Sequence, residues 1–339
     1  MRDLEIAEVD PFDDTRFDAW YAAYLAAEQV SGLGSPWQLE ELRVQMQEQG
    51  RRRWAQAYSG AVDGCVVTAG WIQTPLLDNL ERAQISAHTV PDHRRRGHGT
   101  AMVRHLERVA RERGRSVVGG ETAWAHAAGA DGSDEPGPEF ARSVGFELAL
   151  GDIKRELRLP VTEERLAALE AEAAPHHTAY TLRSWVGPVP DDLVEGWAAL
   201  TSTLMTEAPT GDLEVEAEAI DTAVVREAEA MIAKQGRTKY NTVALDPAGE
   251  VVAYSDIAIT IHEPDGAYQW GTLVRRDARG HRLGLAVKVA NLRLMQREQP
   301  DVLRLITYNA EVNSHMVAVN DRLGFVPIAR LGEFQKHLA

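Results

Sequence analysis

One cysteine, Cys65, stands in 339 residues, so no internal disulfide can form. Its neighbours Val66 and Val67 continue an apolar run, which predicts a small, buried, unreactive thiol. No stretch reaches the roughly 20 apolar residues that a membrane span requires, and Met1–Glu5 lacks the apolar core of a signal peptide. The expectation is a cytoplasmic protein with no membrane association. Positive charge is also short, with 36 Lys and Arg against 51 Asp and Glu and a formal charge of −15. Such a surface repels a phosphate backbone, which excludes general nucleic-acid binding. It suits a cationic small substrate such as an amine, or simple solubility. Metal-ligand spacing is missing too: His176 and His177 are adjacent rather than three or four apart, and read as linker residues. No metal is expected.

Apolar material is plentiful, at 44% of the chain, and the length favours two cores over one. A repeat supports two domains. Val90-Pro91-Asp92-His93-Arg94-Arg95-Arg96-Gly97-His98-Gly99 is echoed by Val274-Arg275-Arg276-Asp277-Ala278-Arg279-Gly280-His281-Arg282-Leu283-Gly284, about 185 residues later. Downstream of each, Val144-Gly145-Phe146 and Leu323-Gly324-Phe325 match at nearly the same offset. Between the copies, Thr162 to Ala174 is rich in alanine and glutamate and ends at Pro175, as a linker helix would. The expected division is a domain over 1–160, a linker helix over 161–177 and a second domain over 178–339.

Each half carries the same order of elements. In the first, helical patterns at 13–29 and 38–49 precede strand patterns at 53–59, 64–72 and 82–90. A helix over 97–113 follows, with Met102, Leu106 and Val109 on one stripe. A short strand at 116–118, a helix at 138–144 and strands at 146–150 and 153–159 complete it. The second half reads as helices at 191–205 and 214–234, strands at 238–245, 251–261 and 268–274, and a helix at 282–297. A strand at 303–308, a helix at 310–323 and a strand from Phe325 end it. The fold class is α/β, each half a mixed, twisted sheet flanked by helices. The tryptophans in apolar runs, Trp71 and Trp197, are expected in cores.

A strand that ends in a glycine-containing turn and opens a helix aims several N–H groups and the positive end of the helix dipole at one point. Gly97 and Gly99 let a bulky anion approach the main chain, and Arg94, Arg95 and Arg96 add charge. Neither turn ends in the Gly-Lys-Ser/Thr of a nucleotide P-loop, and Met102 stands where a dinucleotide fingerprint needs a third glycine. What remains is Arg-x-x-Gly-x-Gly/Ala after a strand end of the Val-x-Pro type, here Val90-Pro91, filled by Arg94, Gly97 and Gly99. This resembles the GNAT superfamily of N-acetyltransferases. The second copy resembles it through Arg279 and Gly284, with Arg282 in place of the middle glycine. Asn313 to Phe325 looks like that family's Asn-x-x-Ala-x-x-x-Tyr-x-x-x-Gly-Phe helix, with Asn320 where the tyrosine usually sits and Ala141 at that place in the first half. The duplication resembles tandem members such as mycothiol synthase.

The resemblance implies acyl transfer from acetyl-CoA, or a related acyl-CoA, to a primary amine of a small molecule by direct attack. The implied cofactor contacts are Val90, Arg94, Arg95, Arg96, Gly97, His98, Gly99 and Thr100 in the first half. In the second they are Val274, Arg279, Gly280, His281, Leu283, Gly284, Asn313 and Asn320. The matching positions for a backbone N–H aimed at the thioester carbonyl are near Val90 and Val274. His88, two residues before Val90 on the same strand face, is the candidate base. Glu207, with Asp212 in the same loop, and Tyr308 are the candidates in the second half. Arg51-Arg52-Arg53 is expected to be a solvated run, or a contact to a CoA phosphate. The alternative is a protein that binds or senses acyl-CoA with one or both halves inactive, or with one half serving as structural partner to the other. A monomer or homodimer is expected.

Overall fold

The computed structural model describes residues 4–339, so Met1 to Asp3, part of the segment read for a leader, lie outside the described residues. Two compact units form. The first comprises residues 4–151, 211–213 and 329–339, and the second 152–210 and 214–328.

The first unit contains β1 (Glu5–Val9), α1 (Asp14–Glu28), α2 (Leu39–Gln47), β2 (Arg53–Val62), β3 (Cys65–Pro75), β4 (Arg82–Thr89), α3 (His98–Glu112), β5 (Val117–Ala125), α4 (Pro136–Ser143) and the start of β6 (Glu147–Arg158). Asp13 caps α1 by accepting from the Arg16 N–H at 3.1 Å. Phe17, Trp20, Ala23 and Tyr24 then recur every three or four residues and are buried against the sheet. The other face of the sheet takes α3, whose Met102, Leu106 and Val109 are buried as the stripe predicts. Gly70 on β3 permits that approach, since a Cβ there would lie 2.5 Å from Met102 Sδ. Two cores result, one on each face.

The second unit repeats the plan with α5 (Glu163–Ala173), β7 (Thr181–Val186), α6 (Val194–Thr201), α7 (Leu204–Glu207), α8 (Thr222–Lys234), β8 (Arg237–Leu245), β9 (Val251–Thr260), β10 (Gly266–Val274), α9 (Leu283–Glu298), β11 (Arg304–Ala310), α10 (Ser314–Leu323) and the start of β12 (Val326–His337), with the rest of β6. Strands β1 and β7 were not foreseen from sequence, and the two short strands read at 146–159 are one continuous strand.

Strand pairing explains why the units do not divide at residues 160 and 178. In the first unit the order is β1-β2-β3-β4-β5-β12, with only β4 and β5 parallel. Its last strand is the C-terminal segment Ala329–His337, antiparallel to Ala125–Val117 of β5. The second unit has β7-β8-β9-β10-β11-β6, where the last strand is Asp152–Arg158, antiparallel to Ala310–Arg304 of β11. Each sheet is thus completed by a strand from the other half of the sequence. The expected linker helix likewise joins the second unit. Leu166, Leu169 and Ala173 of α5 pack with Leu285, Leu292 and Met295 of α9, which is why α9 is apolar around most of its circumference.

Cys65 is exposed, contrary to expectation, because it opens β3 directly after the left-handed Asp63-Gly64 turn of the β2–β3 hairpin. Trp197 is buried as expected, and Trp71 is half-buried. Among the described residues no helix is long and apolar enough to cross a membrane.

Candidate functional site

The parallel pair β4 and β5 is hydrogen-bonded only from Arg82–Gln84 to Val117–Gly119 and then parts. The opening leads into a cavity of about 710 Å³ in the first unit, lined by Ile85 to Thr89 of β4, Gly120 to Ala123 of β5, the turn before α3, and α4. That volume lies in the range of small-molecule pockets.

The turn takes its shape from two left-handed residues, Arg95 at φ +61° and Gly97 at φ +88°. His98, Gly99 and Thr100 then begin α3 with N–H groups that have no acceptor within the helix, and Gly97 offers no capping side chain. All three line the cavity. Arg94 stitches the turn in place, its Nε donating to Thr89 O at 3.1 Å and its Nη2 to Ala27 O at 3.3 Å. Arg96 donates to Asp92 O at 2.9 Å. Both guanidinium groups bond to carbonyls in these contacts, so the positive charge is kept. The pair Arg95 and Glu139, 3.8 Å apart and exposed, adds little. His98 registers the positive field, since burial first, and then His93 and Arg96, hold its imidazole below the usual histidine range. Gly99 is closely packed, as a Cβ there would meet the Phe140 and Thr89 side chains at 3.2 Å, and they would have to give way.

On the opposite face of β4, His88 and Ser86 point toward α1. His88 Nδ1 lies 3.1 Å from Glu28 Oε1, and its Nε2 is hydrogen-bonded to Ser86 Oγ. The ring meets Tyr24 edge-on at 4.8 Å. Burial, with Glu28 next, pushes the Tyr24 phenol well above its usual range. Glu28, Ser86 and His88 all line the cavity. Sequence reasoning missed Glu28 and Ser86. The Ser-x-His spacing on one strand face was a readable signal, whereas Glu28 comes from α1.

The register corrects the backbone donor expected near Val90, which is not Val90 itself. Val90 N–H is already bonded to Val67 O at 3.0 Å. Alternation along the antiparallel β3–β4 ladder turns the N–H groups of Ala87 and Thr89 to the opened side instead. In the second unit Arg275 N–H donates to Val252 O at 2.8 Å, so Val274 is the counterpart of Thr89 and faces its own opened side.

The second turn has the same backbone. Arg279 is extended like Arg94, at φ −68° in both, and Gly280 and Arg282 take the left-handed conformation of Arg95 and Gly97. Its charge, however, is spent internally. Glu207 of α7 pairs with Arg279 at 2.8 Å and Arg276 at 3.3 Å, and Glu172 pairs with Arg282 and Arg322. Glu207 is therefore an ion-pair partner of the turn rather than a free base. His281 Nδ1 lies 3.1 Å from His176 O, and the Leu283 side chain is in the core. A Cβ on Gly284 would make ordinary contact with Val274, so packing does not require glycine there.

Among the remaining candidates, Asn313 and Asn320 have structural partners. Asn313 caps α10 by accepting from Met316 N–H at 3.2 Å. Asn320 is fully buried and donates to Asn309. Tyr308 sits on β11 just past its pairing with β10, beside Tyr268. Asp212 falls in the first unit, its N–H donating to Ala149 O at 2.9 Å. Arg51 to Arg53 lie where the chain enters β2 and do not line the cavity.

Residues 17–126 match the acetyltransferase (GNAT) family. No curated protein matches the sequence. Among solved structures, a tandem GNAT protein from the clavulanic acid biosynthesis pathway superposes with a TM-score of 0.79 at 24% identity, covering 99% of this chain and 98% of its own. A GCN5-related N-acetyltransferase from Sphaerobacter thermophilus gives 0.64 at 14% identity, covering 98% and 95%. A glucosamine N-acetyltransferase region of a fungal multi-domain GH3 β-N-acetylglucosaminidase gives 0.64 at 13%, covering 98% of this chain and 38% of that one. The fold is that of tandem GNAT proteins.

Proposed function

From the match of residues 17–126 to the acetyltransferase (GNAT) family, we propose that the first unit transfers an acetyl or other short acyl group from acyl-CoA to a primary amine of a small molecule. The observation that carries this reading is the cavity where β4 and β5 part, with the uncapped α3 N-terminus at one side and the His88–Glu28 pair at the other. The pyrophosphate is received by the N–H groups of His98, Gly99 and Thr100 and the retained charge of Arg94 to Arg96. The thioester extends into the gap, where Ala87 or Thr89 N–H donates to its carbonyl oxygen and stabilises the developing oxyanion.

The acceptor enters as an ammonium and must lose a proton before it attacks. His88, oriented through Nδ1 by Glu28, takes that proton. The amine nitrogen attacks the carbonyl carbon, the C–S bond breaks, and CoA leaves as the thiolate. The net charge of −15 favours approach of a cationic acceptor. Binding of acetyl-CoA measured by calorimetry, followed by CoA release with a panel of primary amines, tests the reading. Acceptor-dependent release is expected, and tight binding with no turnover on any amine would leave only an acyl-CoA-binding protein.

A further inference from the structure

We infer that Ser86 is an acyl acceptor in its own right, so that the same cleft hydrolyses acyl thioesters through a serine ester when no amine is bound. The inference rests on the reading that an acyl thioester occupies this cleft. Ser86 Oγ is hydrogen-bonded to His88 Nε2, and His88 Nδ1 lies 3.1 Å from Glu28 Oε1, so hydroxyl, imidazole and carboxylate follow one another in order. That order activates a serine, because the imidazole accepts the hydroxyl proton and the carboxylate holds the ring and steadies its positive charge. Ser86 is only half-buried and lines the cavity, so an acyl group can reach it. The next residue, Ala87, turns its N–H to the opened side, where it can donate to the oxyanion.

The second unit provides an internal contrast. Its β10 carries Gly271 and Leu273 four and two residues before Arg275, where β4 carries Ser86 and His88 before Val90. Gly271 N–H is bonded to Asp256 Oδ1 at 2.6 Å, and neither side chain can serve as nucleophile or base. The relay belongs to the unit whose turn keeps its charge.

In the first step Ser86 Oγ bonds to the thioester carbonyl carbon while its proton passes to His88 Nε2. The C–S bond then breaks, and the proton moves from Nε2 to the thiolate. Free CoA leaves and the acyl group remains as an ester on Ser86. Water gives a proton to His88 and attacks the ester carbonyl, the bond to Oγ breaks, and the proton returns to Ser86. Thioester and water become carboxylic acid and thiol. The relay also gives CoA the proton that Ala141, at the position of the family's usual tyrosine, cannot supply.

A fluorophosphonate probe reports an activated serine without needing a thioester, and acid-quenched incubation with acetyl-CoA traps the ester. The expected result is a probe adduct on the Ser86 peptide, an acetyl group on the same peptide, and CoA release without acceptor. Ser86→Ala should abolish all three while melting at the parent midpoint, and His88→Gln should slow labelling about 100-fold or more. If the protein binds acetyl-CoA and acylates an amine but Ser86 stays unmodified by both reagents, the serine ester is refuted and the transferase reading stands. Acceptor-free CoA release that persists in Ser86→Ala also refutes it. Absence of acetyl-CoA binding defeats both.

Discussion

Glu207 holds Arg279 at 2.8 Å, in the turn that repeats the backbone of Arg94 to Gly99. A carboxylate thus engages the cation that a phosphate would need, and Glu172 does the same for Arg282. In the first unit the corresponding Arg94 bonds to the carbonyls of Thr89 and Ala27 instead and keeps its charge.

The two turns share a conformation but differ in how their arginines are paired, and on the proposed reading they should differ in ligand affinity. Gly97→Trp should weaken CoA binding at least about 100-fold by calorimetry, combining the cost of a side chain at φ +88° with obstruction of the N–H groups. Gly284→Trp should leave the dissociation constant within about twofold. The reverse pattern would move the cofactor to the second unit.

On the proposed mechanism His88 takes the proton and Glu28 orients its ring. His88→Gln should lower kcat about 100-fold or more with CoA affinity retained, since a general base contributes on that scale. Glu28→Gln should lower kcat by a smaller factor with CoA affinity retained, because the carboxylate sits 3.1 Å from Nδ1 and orients the ring. An unchanged kcat in Glu28→Gln would reduce Glu28 to packing.

Lys288 on α9 is 3% exposed, faces Phe325 at 5.4 Å, and is pushed down by burial to about 7 from its usual 10.5. Between those values the unfolded chain binds a proton that the folded unit does not, so this group makes stability rise with pH from about 7 to about 10.5. Below about 7 both states are protonated and its contribution is flat. Lys288→Met should stabilise the second unit by more than about 1 kcal/mol at pH 6. Denaturation at several pH values should show that gain shrinking toward pH 10, and a gain constant with pH would count against a buried amine.

The exchanged strands make each unit depend on distant sequence. Phe334 of β12 is 1% exposed and packs with Met102, Leu106 and Trp124 in the first unit. Phe334→Ala should cost about 3–5 kcal/mol and weaken CoA binding with it. A fragment ending at residue 160 lacks β12 and should not fold or bind CoA, which circular dichroism and calorimetry would show. A folded, CoA-binding fragment would contradict the pairing of β5 with β12.

Much of this was readable from residues in order. Helix α3 was legible because Met102, Leu106 and Val109 repeat at the helical period, and the turn because Arg94, Gly97 and Gly99 occupy fixed local spacings. The repeat near residue 274 exposed the duplication, and strand alternation put His88 on the same face as Val90. Local patterns report the neighbours one strand step or helix turn away, and nothing further.

Tertiary structure decided the rest, because its contacts join residues far apart in the chain. No period in the sequence tells β6 to pair with β11 or β12 with β5, since either strand would complete either sheet equally well by pattern. The pairing of His88 with Glu28, the loss of the Val90 N–H to Val67, and the neutralisation of Arg279 by Glu207 are equally invisible. The sequence by itself determined a duplicated α/β protein with an arginine- and glycine-containing turn opening a helix. Which turn keeps its charge, and which side chains meet beside it, was settled by packing and hydrogen bonding in three dimensions.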